Sequence, residues 1–341
     1  RGIRLMAIID KPSDYFEPVI YNGNGGTQSI TSLDFQPDFV WLKSRSNGNI
    51  HNLNDSVRGV NKQIHTDLTN AEATLTTVLT AFNSNGFTLG SESDVNGSGR
   101  TFVSWNWLGA NGTASNSNGN ITSTVSANTT AGFSIVSWTG NNSGSATVGH
   151  GLGAVPNVVI IKKRDGATNW GFKHSSFASG AMSSINTTDA PSNRNGSTAG
   201  GIGDLTSSTT FGFIGGGAGT PSENNGSMIA YCFADVKGYS KFGSYSGNGS
   251  TNGAFIYTGF KVAWLLIKRI NGNDNYTMAD NKRNGFNPDN DALYPNLANA
   301  EANTNFVDLL SNGFKMRRSD GAENASGGTY AYMAFAENPF V

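Results

Sequence analysis

The chain has 341 residues, with 23 Lys and Arg against 24 Asp and Glu and a formal net charge of −1 at pH 7. Charged residues make up only 14% of it, so it lacks the basic surface of a general nucleic-acid-binding protein. The 44 glycines, with abundant Asn, Ser and Thr, are typical of short strands joined by tight turns. The composition therefore predicts an all-β protein that binds no nucleic acid.

The sequence contains no sign of a disulfide or of membrane insertion. The single cysteine, Cys232, excludes an intrachain disulfide. No apolar run approaches the roughly 18 residues of a membrane span. The apolar part of residues 1–10 is too short for the core of a signal peptide, so we expect no export and a natural start at Met6.

Residues 1–18 are expected to form an N-terminal arm. Pro12 and Pro18 disfavour helix and central strand, so the segment should be extended. Pro12, Tyr15 and Phe16 are candidate contacts that tether the chain to a larger assembly. The alternative, an ordered leader packed on the chain's own first module, stays open.

One sequence pattern then occurs three times, with a period of about a hundred residues. It consists of an aromatic residue before a glycine turn, an apolar run stopped by basic residues, a turn that opens a strand, and a polar glycine turn before an aromatic-rich strand. The apolar runs are residues 39–43, 158–164 and 263–269. The last parts are residues 96–107, 225–233 and 324–335.

This repeat predicts three tandem β-sandwich modules of a jelly-roll or lectin-like kind. We place them at residues 19–109, 132–236 and 237–341, with residues 110–131 as a Gly-, Asn- and Ser-rich linker. Consecutive apolar residues at 39–42 indicate a strand that is buried on both faces.

The sequence offers no catalytic or metal-binding constellation. His51, His65, His150 and His174 have no metal-ligand spacing, and Cys232 occupies a strand position that suits a small apolar residue. A glycosidase needs two carboxylates across a cleft, and the repeat-defining strands carry no such pair. We expect no catalytic residue, no metal site and no cofactor, with a glycan-degrading enzyme as the minor alternative.

Aromatic residues separate into core and candidate binding positions. Five tryptophans recur at repeat positions, as core residues do: Trp41, Trp105, Trp107, Trp138 and Trp264. Trp170 and Tyr276 share a loop position, where an exposed ring could stack on the apolar face of a sugar. Trp170, Tyr276 and the nearby His174 are therefore candidate glycan contacts, beside the polar loops of residues 175–219.

Several segments resemble an uncharacterised repeat family of tailed bacteriophages, chiefly marine ones. They are residues 10–16, 35–43, 55–59, 84–90, 231–243 and 334–340. The resemblance covers essentially the whole chain, although the second module lacks the Asp-x-x-Arg-Gly loop of residues 55–59. Members of the family look like virion structural proteins without established catalytic residues.

The resemblance implies a tail-fibre or tail-associated protein, assembled in the host cytoplasm and exposed on the virion surface. It implies a homo-oligomer, with a trimer favoured, bound to other virion proteins through the arm and to host surface polysaccharide through polar loops. A capsid decoration or head-fibre protein with a stabilising role is the alternative, and a glycan depolymerase is a third.

Overall fold

The computed structural model describes residues 9–194, 201–215, 217–283, 287 and 289–340. Apart from a 3-10 turn at Pro12–Asp14 and one helical turn, α1 (Ser93–Asn96), the regular elements of these residues are β-strands. The strands form several separate antiparallel sheets, so the predicted all-β class is confirmed. Among the described residues, no helix is long and apolar enough to cross a membrane.

The first module builds a four-stranded sheet faced by a three-stranded sheet. Its strands are β1 (Phe16–Asn22), β2 (Gln28–Ile30), β3 (Phe39–Ser44), β4 (Asn52–Asp55), β5 (Lys62–Gln63), β6 (Ala73–Thr74), β7 (Leu79–Asn83), β8 (Gly86–Leu89) and β9 (Thr101–Trp107). The order is β1-β9-β3-β4 in one sheet and β2-β8-β7 in the other, with β5 and β6 as a separate pair.

The second module has a wider sheet. Its strands are β10 (Ala114–Asn116), β11 (Ser123–Asn128), β12 (Phe133–Thr139), β13 (Thr147–Gly149), β14 (Val158–Lys163), β15 (Gly171–His174), β16 (Ala181–Met182), β17 (Ser192–Asn193), β18 (Gly201–Ile202), β19 (Thr210–Ile214) and β20 (Ser227–Phe233). The sheets are β10-β11-β12-β20-β14-β15, β13-β19-β18 and β16-β17. Residues 110–131, expected to be a linker, thus contribute two strands to the fold, and residues 175–219 include four short strands.

The third module contains two four-stranded sheets. Its strands are β21 (Ser240–Ser246), β22 (Phe255–Tyr257), β23 (Phe260–Arg269), β24 (Tyr276–Asp280), β25 (Asp289–Ala292), β26 (Ala302–Leu310), β27 (Gly313–Met316) and β28 (Thr329–Pro339). The orders are β21-β28-β23-β24 and β22-β27-β26-β25.

One strand order recurs in the three large sheets. β1-β9-β3-β4 matches β12-β20-β14-β15 and β21-β28-β23-β24, so the last strands β9, β20 and β28 each lie between two strands that are equivalent in the three modules. The pairing register also matches, because Phe39, Val158 and Trp264 face Trp107, Phe233 and Phe335. This agreement supports the predicted threefold repeat, while the exact module boundaries stay a prediction.

Each large sheet is buried on both faces, which explains the consecutive apolar residues of the repeat. In β3, Phe39 and Trp41 enter a central core, whereas Val40 and Leu42 enter the first module's own sandwich core. The other modules place Val158, Ile160, Trp264 and Leu266 in the central core and Val159, Ile161, Leu265 and Ile267 in their own cores. This alternation is the period of two that a strand imposes on its side chains.

Three equivalent aromatic side chains meet in the central core. The ring centroids of Trp107 and Phe233 are 6.1 Å apart, those of Trp107 and Phe335 5.6 Å, and those of Phe233 and Phe335 5.9 Å. Each pair is arranged edge to face, a favourable geometry for aromatic rings. The triangle marks an approximate threefold axis within one chain and joins the three sandwiches into one body.

The N-terminal segment belongs to this core. Phe16 is the first residue of β1, and its ring lies 4.7 Å from Trp107 and 5.0 Å from Phe335. Pro12 is buried, and Tyr15 packs edge to face on Tyr239. The interpretation of these three residues as an assembly arm is therefore corrected, since they pack on their own chain. Residues 1–8 lie outside the described residues.

Truncation of the aromatic triangle should destabilise all three modules together. We expect Trp107→Ala to lower the free energy of unfolding by about 3–5 kcal/mol, because a fully buried ring leaves a cavity that all three sheets line. Chemical denaturation followed by circular dichroism measures the change. The control, Phe255→Ala at a half-exposed position, should stay within about 0.5 kcal/mol of the wild type. A loss of less than 1 kcal/mol for Trp107→Ala would contradict a shared core.

Candidate functional site

Three equivalent lysines connect neighbouring modules. Lys43, Lys162 and Lys268 occupy the same place in β3, β14 and β23, and all three are buried. Their ammonium groups donate to backbone carbonyls of the neighbouring module: Ala298 (3.1 Å), Thr69 (3.1 Å) and Thr188 (2.8 Å), respectively. Burial lowers the pKa of each to about 8. Since their partners are carbonyl groups of the fold, we assign these lysines to assembly of the three modules rather than to catalysis.

Buried ion pairs support two of the three module boundaries. Asp55 pairs with Arg58 inside the first module, and its Oδ2 accepts a hydrogen bond from the Tyr231 hydroxyl of the second module (2.8 Å). Asp280 pairs with Arg283 at 2.6 Å and accepts from Trp105 Nε1 of the first module at 2.9 Å.

The third boundary has a different chemistry. His174 stands at the repeat position of Asp55 and Asp280 and is fully buried. Its Nδ1 accepts a hydrogen bond from Ser176 N at 3.0 Å, so Nε2 carries the proton and donates to the Tyr332 carbonyl at 3.0 Å. The predicted glycan contact His174 is therefore a neutral structural histidine between the second and third modules.

Removal of one partner from the buried ion pair should be costly. Asp55→Asn leaves the buried Arg58 guanidinium with Glu72, at 3.4 Å, as its one remaining carboxylate among the described residues, and we expect a loss of about 3 kcal/mol in the free energy of unfolding. Urea denaturation provides the measurement. The double variant Asp55→Asn/Arg58→Met should recover part of this loss, and strictly additive losses would contradict the pairing.

His174 should make the protein sensitive to acid. Burial lowers its pKa to about 4, whereas the unfolded side chain has a pKa near 6.5. Between pH 6.5 and pH 4 the unfolded chain therefore protonates this histidine while the folded protein does not. The histidine's contribution to stability is complete above pH 6.5 and is lost as pH falls towards 4. The loss should approach about 3 kcal/mol.

Urea midpoints of the wild type and His174→Gln at pH 7 and pH 4.5 test this prediction. The variant should lose less stability between the two pH values than the wild type does. The other ionisable groups are common to both proteins, so an equal loss would remove His174 as the cause.

The aromatic candidates also lie at module boundaries. Trp170 and Tyr276 are fully buried, and the equivalent position of the first module holds His51. The Trp170 Nε1 donates to the His65 carbonyl at 2.8 Å, and the Tyr276 hydroxyl donates to Ser183 Oγ at 2.9 Å. The shared position was predicted, but the expected exposure is wrong. Neither ring can stack on a sugar without leaving its place.

A partly open cavity of about 330 Å³ lies in the second module instead. It is enclosed by β14, β15, the β16–β17 pair and the loop of residues 217–221. Its polar lining is Lys163, Thr168, Asn169, Ser184, Arg194 and Thr220, and its apolar lining includes Ile161, Trp170, Met182 and Met228. A cavity of this volume falls in the size range of small-molecule sites, roughly 300–1,000 Å³.

A glycine lines this cavity where the other two modules have a larger residue. Gly171 in β15 stands where the first module has Asn52 and the third has Thr277. A Cβ atom at Gly171 would lie 3.2 Å from Met182 Cε and 3.3 Å from Ile202 Cδ1. The second module therefore packs Met182 and Ile202 against this position, where its two counterparts carry a larger side chain.

The two cationic side chains of the cavity lining differ in their pairing. Lys163 is neutralised by Glu223 at 3.1 Å and Asp165 at 3.4 Å. Arg194 has a buried Nε without a hydrogen-bond partner among the described residues. Of the described residues that line the cavity, none is acidic. The site thus offers one arginine whose Nε lacks a partner among the described residues, beside hydroxyl, amide and apolar groups.

The described groups of the lining can form hydrogen bonds and apolar contacts with a ligand. The described lining contains no pair of carboxylates and no nucleophile beside a base. Within the same described part of the chain, no group of three or more His, Cys, Asp or Glu residues could hold a metal ion. Cys232 is buried, and burial raises the pKa of its thiol, which keeps it protonated and unreactive.

A protein-family model described as a domain of unknown function, DUF7483, matches residues 11–339. The chain belongs to the DUF7483 family. The match runs through all three modules of this DUF7483 chain, so the family describes the assembled body rather than one sandwich. No curated protein matches the sequence.

Proposed function

We propose that this DUF7483 chain is a structural protein of a bacteriophage particle, exposed on a tail fibre or a similar appendage, where it contacts host surface glycans. The observation that carries the glycan contact is the second-module cavity, with its free polar groups and apolar wall. The resemblance of the sequence to a phage repeat family supports the virion assignment.

The cavity has the mixed chemistry that sugars require. Hydroxyl and amide groups such as those of Ser184 and Asn169 can exchange hydrogen bonds with sugar hydroxyls. Ile161, Met182 and Met228 supply apolar surface for the C–H face of a sugar ring. Three sandwiches that share one core hold this site on a rigid support, which limits the entropy lost on binding.

We further propose that copies of the chain assemble into a homo-oligomer, with a trimer favoured. The aromatic triangle is already closed within one chain. Contacts between copies would therefore use the outer faces of the modules, and binding to other virion proteins would use surfaces outside the buried Pro12 and Phe16.

Binding to host cells and position on the particle test this proposal together. Fluorescently labelled chain should bind host cells, and binding should fall by at least about tenfold on cells whose surface polysaccharide has been removed enzymatically. Cryo-electron microscopy of intact particles should place the chain at the tail. Copies arrayed over the capsid lattice would indicate a decoration protein instead, and equal binding to stripped cells would overturn glycan contact. Shortening of the polysaccharide on incubation would indicate a depolymerase.

A further inference from the structure

We infer that the second-module cavity binds a sugar residue that bears a carboxylate, with Arg194 as the partner of that carboxylate. This inference rests on the proposed glycan contact and names the class of sugar. It follows from the charge, the hydrogen-bonding groups and the shape of the cavity.

The charge of the lining favours one negative group. A buried guanidinium N–H without a partner is costly, and a carboxylate can satisfy it with charge-assisted hydrogen bonds. Lys163 already has two carboxylates within 3.4 Å, so its positive charge is neutralised without a ligand. A ligand with a single carboxylate fits this balance better than a doubly charged phosphate.

The remaining polar groups favour a sugar over a simple anion. The Ser184 hydroxyl and the Asn169 amide nitrogen line the cavity, and neither donates a hydrogen bond to another described residue. The Asn169 carbonyl oxygen is held by the Asn186 amide at 2.8 Å, which leaves the amide nitrogen available. These groups can bind hydroxyls that a small anion such as acetate lacks.

The shape of the cavity provides the third argument. Met182 and Met228 belong to the apolar lining, and Gly171 lies against Met182. A pyranose ring has an apolar face that can lie on such a lining while its carboxylate reaches the guanidinium. The first and third modules, with Asn52 and Thr277 at the place of Gly171, should not bind the same ligand.

Isothermal titration with D-glucuronate, D-glucose and acetate tests the inference on the complete chain. Glucuronate and glucose share the ring and differ in the carboxylate. We expect the wild type to bind glucuronate at least about tenfold more tightly than glucose or acetate. Equal affinity for glucose would overturn the role of the carboxylate, and equal affinity for acetate would overturn the role of the sugar. Absence of binding by glucuronate would overturn the inference as a whole.

Four variants localise the binding. Arg194→Met should abolish the preference for glucuronate, and Arg194→Lys should retain part of it, because lysine keeps the charge without the planar guanidinium. Gly171→Thr should displace Met182 from the cavity lining, because its Cβ would lie 3.2 Å from Met182 Cε, and should weaken binding of glucuronate. The control Arg317→Met removes an exposed arginine paired with Asp308 in the third module and should bind as the wild type does.

Thermal unfolding first establishes that each variant is folded. Unchanged glucuronate binding by folded Arg194→Met would place the ligand elsewhere and overturn the inference. In that case, binding of labelled Arg194→Met to untreated and stripped host cells tests the proposed glycan contact separately from the carboxylate inference. If Arg194→Met binds untreated cells and fails to bind stripped cells, the proposed glycan contact stands and the carboxylate inference alone is overturned. Equal binding to both cell types would overturn the glycan contact too.

Discussion

The contact among Trp107, Phe233 and Phe335 is the interaction on which the rest of the fold depends. A single sandwich of about a hundred residues with no disulfide has a limited core of its own. Here each module exposes the second face of its large sheet to the other two, so that burial of this face requires all three. Many of the polar groups that this burial removes from water find partners in a neighbouring module, although Trp107 Nε1 and Trp264 Nε1 have none among the described residues.

The boundaries supply these partners in a repeated manner. Lysines at one repeat position donate to carbonyls of the neighbouring module. At a second repeat position, His51 and Trp170 also donate to carbonyls of a neighbouring module, and Tyr276 donates to the Ser183 hydroxyl. The second module departs from the pattern in two places, with His174 at the position of the acidic residues and Gly171 at the position of a larger side chain. The first departure changes a boundary, and the second lies in the lining of the cavity.

Much of this fold could be predicted from the sequence, because repetition shows which residues share a role. The double burial of residues 39–42 followed from their consecutive apolar character, and the shared position of Trp170 and Tyr276 followed from the repeat. Their burial could not be predicted in this way, since it depends on contacts between modules. Gly171 lines the cavity, and a comparison of that position across the three copies is the signal that could have pointed to it.

Phe16 of the first module packs against Phe335 of the third, so the first and last modules are in direct contact. This closed arrangement limits how the number of repeats can change. In an open array of repeats, a unit can be added or lost at an end with one new interface. In this closed ring every sandwich has two neighbours, so insertion of a fourth unit would widen the axis and separate the aromatic rings. The geometry therefore fixes the number of units, and variation is confined to loops and to single positions such as Gly171.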